Sequence, residues 1–247
     1  LMMLGAYMAF SVQSAGLPPW LGLIAAPIAV GIIGILIESG IIKRLYDRPL
    51  DTLLATWGVA IILREGVNLI YGTASKPVDS LIGGDITLIG VTYPAYWLFI
   101  ILAAVVVLLL VVGVFKYTDI GIMAIAVIED RQMAAASGIN TVWSDRLTFA
   151  FGSALAGLSG AIMAPLLSVN SDMGLNWLVN SFLVVIVGGV GSFIGTAAGG
   201  VLIGGLDNTF RALTDFTSLA QAVVLLVAFI IIRYRPDGLI PAKQGGE

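Results

Sequence analysis

The sequence predicts an all-α, polytopic integral membrane protein of about eight transmembrane segments, with one broken helix pair and a polar helix on the cytoplasmic side. Three observations lead there. Of 247 residues, 59% are hydrophobic and 11% charged, more apolar surface than a soluble core of this length can use. The apolar runs are continuous or helically periodic, without the alternating strands of about ten residues that build a β-barrel. Lysine and arginine concentrate in alternate loops, as the positive-inside bias requires. The net charge of −3 gives no reason to expect a nucleic-acid partner. With no cysteine and no histidine, disulfides, thiolate metal sites and the usual proton shuttle are unavailable, so neither metal nor cofactor is expected.

The elements follow in chain order. Leu1 to Ala15 reads as a first, incomplete span. No basic n-region or cleavage site precedes it, so it is not read as a signal peptide but as a truncated start. Gly16-Leu17-Pro18-Pro19 makes a turn, and Trp20 to Ile37 is the second span, with Trp20 at the interface. Glu38 to Asp51 is a short polar loop, and Thr52 to Tyr71 is the third span. Gly72 to Thr92 is a longer polar loop with a strand-like piece at Ile86 to Thr92. Tyr93, Tyr96 and Trp97 form an aromatic belt where the fourth span begins; it ends near Phe115. A polar loop over residues 116–146 follows, then the fifth span, Arg146 to Leu167, and another polar loop, Ser168 to Leu178. Val179 to Phe210 is too long for one crossing and is broken at Gly188-Gly189 and Gly191 to Gly195, which makes two segments. Ser218 to Ile232 is the last span, before a basic, Pro/Gly-rich tail.

Placing the 116–146 loop inside also places Lys43, Arg44, Arg48, Arg233, Arg235 and Lys243 inside, and leaves Lys76 and Arg211 outside. Gly152, Ala156 and Gly160 recur every four residues, as do Gly191, Gly195 and Gly199, a pattern that lets helices approach closely in lipid.

The densest polar patch is Ala126 to Asn140, AVIEDRQMAAASGIN. Its composition predicts a short helix over Val127 to Ser137, stopped by Gly138. Lipid-surface helices are usually basic with large apolar groups. This one is acidic at one end and alanine-rich at the other, which suits a protein groove better than an anionic leaflet.

The same stretch carries a family resemblance. EDRQMAAASGIN resembles the cytoplasmic loop of permeases from ABC importers of branched-chain amino acids, amides and urea. Gln132 to Gly138 is similar to the general EAA---G loop of such permeases, with Gln132 where Glu is usual. LTFAFGSALAGLSG, GGVGSFIGT at Gly188 to Thr196 and RPDGL at Arg235 to Leu239 follow in the family's order. Upstream, LMMLGAYMAF and Arg48-Pro49-Leu50 fit it too. TLLATWG at Thr52 to Gly58 and NSFLVVIVGGVGS at Asn180 to Ser192 look closest to the urea-type permease, although Arg64-Glu65 departs from the uncharged amides of that type. Members of the family usually carry another apolar segment before LMMLGAYMAF, so a first helix is expected to be absent here.

The resemblance implies a single transmembrane permease domain over residues 1–247, multi-pass in a bacterial cytoplasmic (inner) membrane. It implies a second permease subunit, identical or related, two ABC ATPase subunits and a periplasmic substrate-binding protein. It assigns ATPase coupling to Glu129, Asp130, Gln132, Met133, Ala134, Ala135 and Gly138. The chain lacks a G-x-x-x-x-G-K-[ST] loop, so it is expected to be a transport subunit that does not hydrolyse ATP itself.

Thr52, Thr56, Ala60, Arg64 and Asn68 share one polar or small face of the third span, as a hydrated path needs. Arg64 either faces that path or snorkels outward. Trp57 is either pathway wall or packing. Asn180 and Ser181 either bond substrate or cap a helix. Gly188, Gly189, Gly191 and Ser192 form a break of the kind that presents backbone groups to substrate in transporters. The expected cargo is urea, a short amide or a branched-chain amino acid, with urea-type preferred. A passive channel for a small neutral solute such as urea explains the glycines and the polar stripe but gives the polar helix no task. An ion-coupled carrier has only Glu65 as a buried-carboxylate candidate.

Overall fold

The computed structural model describes residues 1–45, 48–88, 91–213, 217–235 and 238–239. The chain forms two compact units, Leu1–Gly174 and Leu175–Glu247. Four described helices are long and apolar enough to cross a membrane: Pro19–Arg44 with its terminal turn, Leu50–Tyr71, Ala95–Tyr117 and Thr141–Leu167.

The first unit is built on α1 (Met2–Ser14), α2 (Pro19–Gly40) and α7 (Thr141–Leu167), which pack on one another. Small residues make this possible. Ser153, Gly157, Gly160, Ala161 and Ala164 of α7 are buried. A β-carbon at Gly157 would lie 2.7 Å from Val30 Cβ and 3.0 Å from the Ala26 carbonyl of α2. Gly160 meets the backbone of Met2 and Ala6 in α1. The packing stripe therefore differs from the one expected. Gly160 belongs to it, whereas Gly152 is exposed with open space around it, because the face that meets α1 and α2 runs through Ser153 and Gly157.

The third span, α3 (Pro49–Tyr71), joins this block at its C-terminal end. Val67 enters a core with Met3, Ala6, Tyr7, Ala164, Val169 and Met173. Tyr71 packs 4.8 Å from the Tyr7 ring and shares a 2.6 Å hydrogen bond with Ser11. Towards its N-terminus, Leu53, Leu54 and Trp57 are exposed. The long loop after α3 is tied down where Lys76 and Val169 exchange two backbone hydrogen bonds of 2.8 Å. The strand-like piece becomes an antiparallel hairpin, β1 (Asp85–Leu88) and β2 (Val91–Pro94), pairing Asp85 with Pro94 and Leu88 with Val91. Tyr93 and Trp97 are exposed as belt residues should be, but Tyr96 is buried and donates 2.6 Å to the Ile162 carbonyl.

After α4 (Ala95–Tyr117) come α5 (Asp119–Glu129) and α6 (Arg131–Ala136). Two boundaries fall earlier than expected. Asn140 Oδ1 accepts from Trp143 N, so α7 starts at Thr141 rather than Arg146. The loop expected to run to Leu178 turns helical at Met173, where α8 (Met173–Gly188) begins.

In the second unit, Val187 of α8, Ile203 of α9 (Phe193–Leu213), and Val224 and Ala228 of α10 (Thr217–Tyr234) form the core. The break between α8 and α9 falls where the glycines predicted it. Gly189 and Gly191 have φ of 109° and 87°, a region that disfavours a β-carbon.

Candidate functional site

The segment around α6 is fixed locally. The single helix expected over Val127 to Ser137 is two, because Asp130 has extended backbone and ends α5. Its Oδ1 accepts from Gln132 N and Met133 N, both at 2.9 Å, as the N-cap of α6. At the other end Gly138 has φ 86°, donates to the Ala135 carbonyl at 3.0 Å, and lets Ile139 N reach the Ala134 carbonyl at 3.1 Å. That pair of bonds is a Schellman stop. Gln132, Met133, Ala135 and Ala136 are exposed, and Glu129 is exposed at the end of α5. Ala134 points the other way and is buried within the chain. Asp130 and Gly138 thus shape the helix, while Gln132, Met133 and Ala135 form its open face.

One ion pair anchors α6 to the helical block, and a second beside it ties α7 to α2 within the block. Arg131 Nη2 lies 2.8 Å from Asp145 Oδ2 of α7. The next residue, Arg146, donates through Nε to Glu38 Oε2 of α2 at 3.2 Å. Glu38 is fully buried, and its Oε1 has no hydrogen-bond partner among the described residues. Glu38 was expected in a loop. An acid continuing the apolar run IGILIESG was the signal, since such a charge needs a partner inside the membrane.

On α3, Thr52 and Thr56 spend their hydroxyls on the chain itself. Thr52 Oγ1 donates to the Leu45 and Arg48 carbonyls at 2.7 and 3.0 Å, and Thr56 Oγ1 to Leu53 at 2.9 Å. Trp57 is exposed rather than packed within the chain. Arg64 Nη2 pairs with Asp172 Oδ1 at 2.8 Å, and both side chains are partly exposed. Arg64 Nε and Asn68 Oδ1 are shielded and have no hydrogen-bond partner among the described residues. Asp172 had no signal in the sequence, because it lay in a stretch read as loop.

In the second unit, Asn180 and Ser181 lie inside α8, so neither caps it; Ser181 Oγ donates to the Trp177 carbonyl at 2.8 Å. Ser192 opens α9 by accepting from Gly195 N at 3.0 Å. The carbonyls of Val185, Val187 and Gly189 accept from Gly189, Leu239 and Ser192. Gly188 packs on the backbone of Gly195 and Thr196. The break is therefore held by its own chain, with the Gly238-Leu239 part of RPDGL laid against it. Among the described residues no three His, Cys, Asp or Glu side chains group to hold a metal.

The chain is 25% identical over 261 residues to the high-affinity branched-chain amino acid transport system permease protein LivH of Salmonella typhimurium, covering 96% of this chain and 82% of that protein. It is 25% identical over 256 residues to the permease protein BraD of the corresponding system in Pseudomonas aeruginosa, with the same coverage. A ribose import permease protein, RbsC of Haemophilus influenzae, is 26% identical over 214 residues, covering 83% of this chain and 64% of that protein. No solved structure matches. Because residues 1–232 match the family described as branched-chain amino acid transport system / permease component, the chain belongs to that family of membrane permeases.

Proposed function

We propose that this chain is a pore-forming subunit of an ABC importer for branched-chain amino acids, crossing a bacterial cytoplasmic membrane with eight segments. Its partners in this reading are a second permease, two ATPase subunits that receive α6, and a periplasmic binding protein. The observation that carries it is the family match along nearly the whole chain, joined to a short helix whose ends are fixed internally and whose alanine face is open. A rigid helix with small exposed side chains suits a close-fitting groove on a motor subunit.

The substrate path in this reading follows the α3 face of Thr56, Ala60, Arg64 and Asn68. A fixed ion pair on that face, Arg64 with Asp172, suits a zwitterion, whose carboxylate and ammonium can each meet an opposite charge. The urea-type expectation rested on TLLATWG. The relatives named above are permeases for branched-chain amino acids or ribose by name, and none is named for urea.

Ala135→Trp tests the docking role. The bulky ring should overfill the groove without touching the helix ends, so substrate-stimulated ATP hydrolysis and uptake by the reconstituted complex fall together, by about fivefold or more. Wild-type values for both would remove α6 from the docking role.

A further inference from the structure

The ends of α7 and α6 meet at a pair of consecutive charges with opposite tasks. Asp145 holds α6 through Arg131, and Arg146 holds α2 through the fully buried Glu38. Neighbouring residues on a helix face different directions, so one turn of α7 grips two elements at once. The surrounding packing differs on the two sides. Between α7 and α2 the contact is tight: Ser153 presses on Gly34, and a β-carbon added at Gly157 would lie 2.7 Å from Val30 Cβ. Between α7 and α5 there is instead an open groove of about 380 Å³, lined in part by Ala124, Ile128, Ser144, Asp145 and Thr148. Side chains bordering the groove lack the interlocking neighbours that join α7 to α2, so the contact on this side is the looser one.

We infer that Asp145 and Arg146 are positioning residues for energy coupling: displacement of α6 reaches α7 through the Arg131–Asp145 pair and is passed to α2 through Arg146–Glu38. Among the described residues Glu38 accepts a single hydrogen bond, from Arg146, and it has no exposed surface through which to change partners. The α2 end of the relay is therefore fixed. The α6 end is the adjustable one, since Arg131 is half exposed and Asp145 borders the groove. This inference rests on the reading of α6 as the helix that receives the ATPase.

The test uses the complete complex in proteoliposomes with its binding protein and compares three variants. Asp145→Asn removes a charge at nearly constant shape. It should leave ATP hydrolysis without substrate within about twofold of wild type, while stimulation by loaded binding protein and uptake per ATP fall about fivefold to tenfold. Arg131→Asp combined with Asp145→Arg restores a pair of reversed polarity and should recover at least half of that ratio, which a loss of folding would not allow. Ala135→Trp serves as the docking control. If it abolishes stimulation while Asp145→Asn keeps the wild-type uptake per ATP, the relay is wrong and docking stands. If Ala135→Trp has no effect, the docking reading fails and the relay fails with it. If the reversed pair stays as uncoupled as Asp145→Asn, charge complementarity is not what carries the force, and the inference is overturned.

Discussion

Helices α3 and α7 have nearly the same mean hydropathy, yet a third of the most apolar stretch of α7 is buried in the chain against 6% for α3. What separates them is side-chain size by face. On α7 the residues Ser153, Gly157, Gly160, Ala161 and Ala164 leave a shallow strip into which α1 and α2 fit. On α3 the corresponding surface carries Leu53, Leu54, Trp57, Ile61, Ile62, Leu69 and Ile70, all exposed. Hydropathy tells which segments leave water. Small residues tell which faces meet another helix of the same chain, because lipid tails are as apolar as leucine and give it no reason to choose protein over lipid. In the proposed assembly, α7 is framework and α3 is surface left for lipid, the second permease and substrate.

The comparison breaks hardest at the buried pair. Arg146→Ala strands the Glu38 carboxylate and should destabilise the solubilised chain by about 3–5 kcal/mol in thermal unfolding, whereas Glu38→Leu with Arg146→Met should recover most of that loss. Next is the small-residue strip. Gly157→Leu should cost about 1–3 kcal/mol by forcing α2 from α7, while Gly152→Leu, five positions earlier in open space, should stay within about 0.5 kcal/mol. The smallest effect belongs to α3. Leu69, 88% exposed, should tolerate Leu69→Ala within about 0.5 kcal/mol for the chain alone. A larger loss in the assembled complex than in the single chain would show that a protein partner covers this face.

Much of this was readable in advance where the cause is local. Gly138 marks the end of α6 and the Gly188 to Gly191 cluster marks the break between α8 and α9, because a positive φ is a property of one residue. The start of α6 was missed although Asp130 is a strong cap, since the helix formers on both sides suggested continuity. Asn140 was missed in the same way at the start of α7. The partners in long-range pairs left no local trace, even where the acid in IGILIESG marked Glu38 as needing one. Glu38 and Arg146 are 108 positions apart, and Asp172 meets Arg64 only because α3 and the turn before α8 share one end of the unit. At the glycine break, expected to present backbone groups, the carbonyls of Val185 and Val187 just before it and of Gly189 within it accept from Gly189, Leu239 and Ser192, a pairing with Leu239 beyond α10 that no local pattern announces.

The most direct test of the account is competition uptake of labelled leucine and labelled urea by the reconstituted complex, with wild-type chain and with Arg64→Gln. Leucine should outcompete urea. Its uptake should fall more than about tenfold in Arg64→Gln, because a charge-assisted hydrogen bond contributes about 1.5–3 kcal/mol. Urea that outcompetes leucine, with uptake unchanged in Arg64→Gln, would contradict both the proposed substrate and the proposed role of the α3 face.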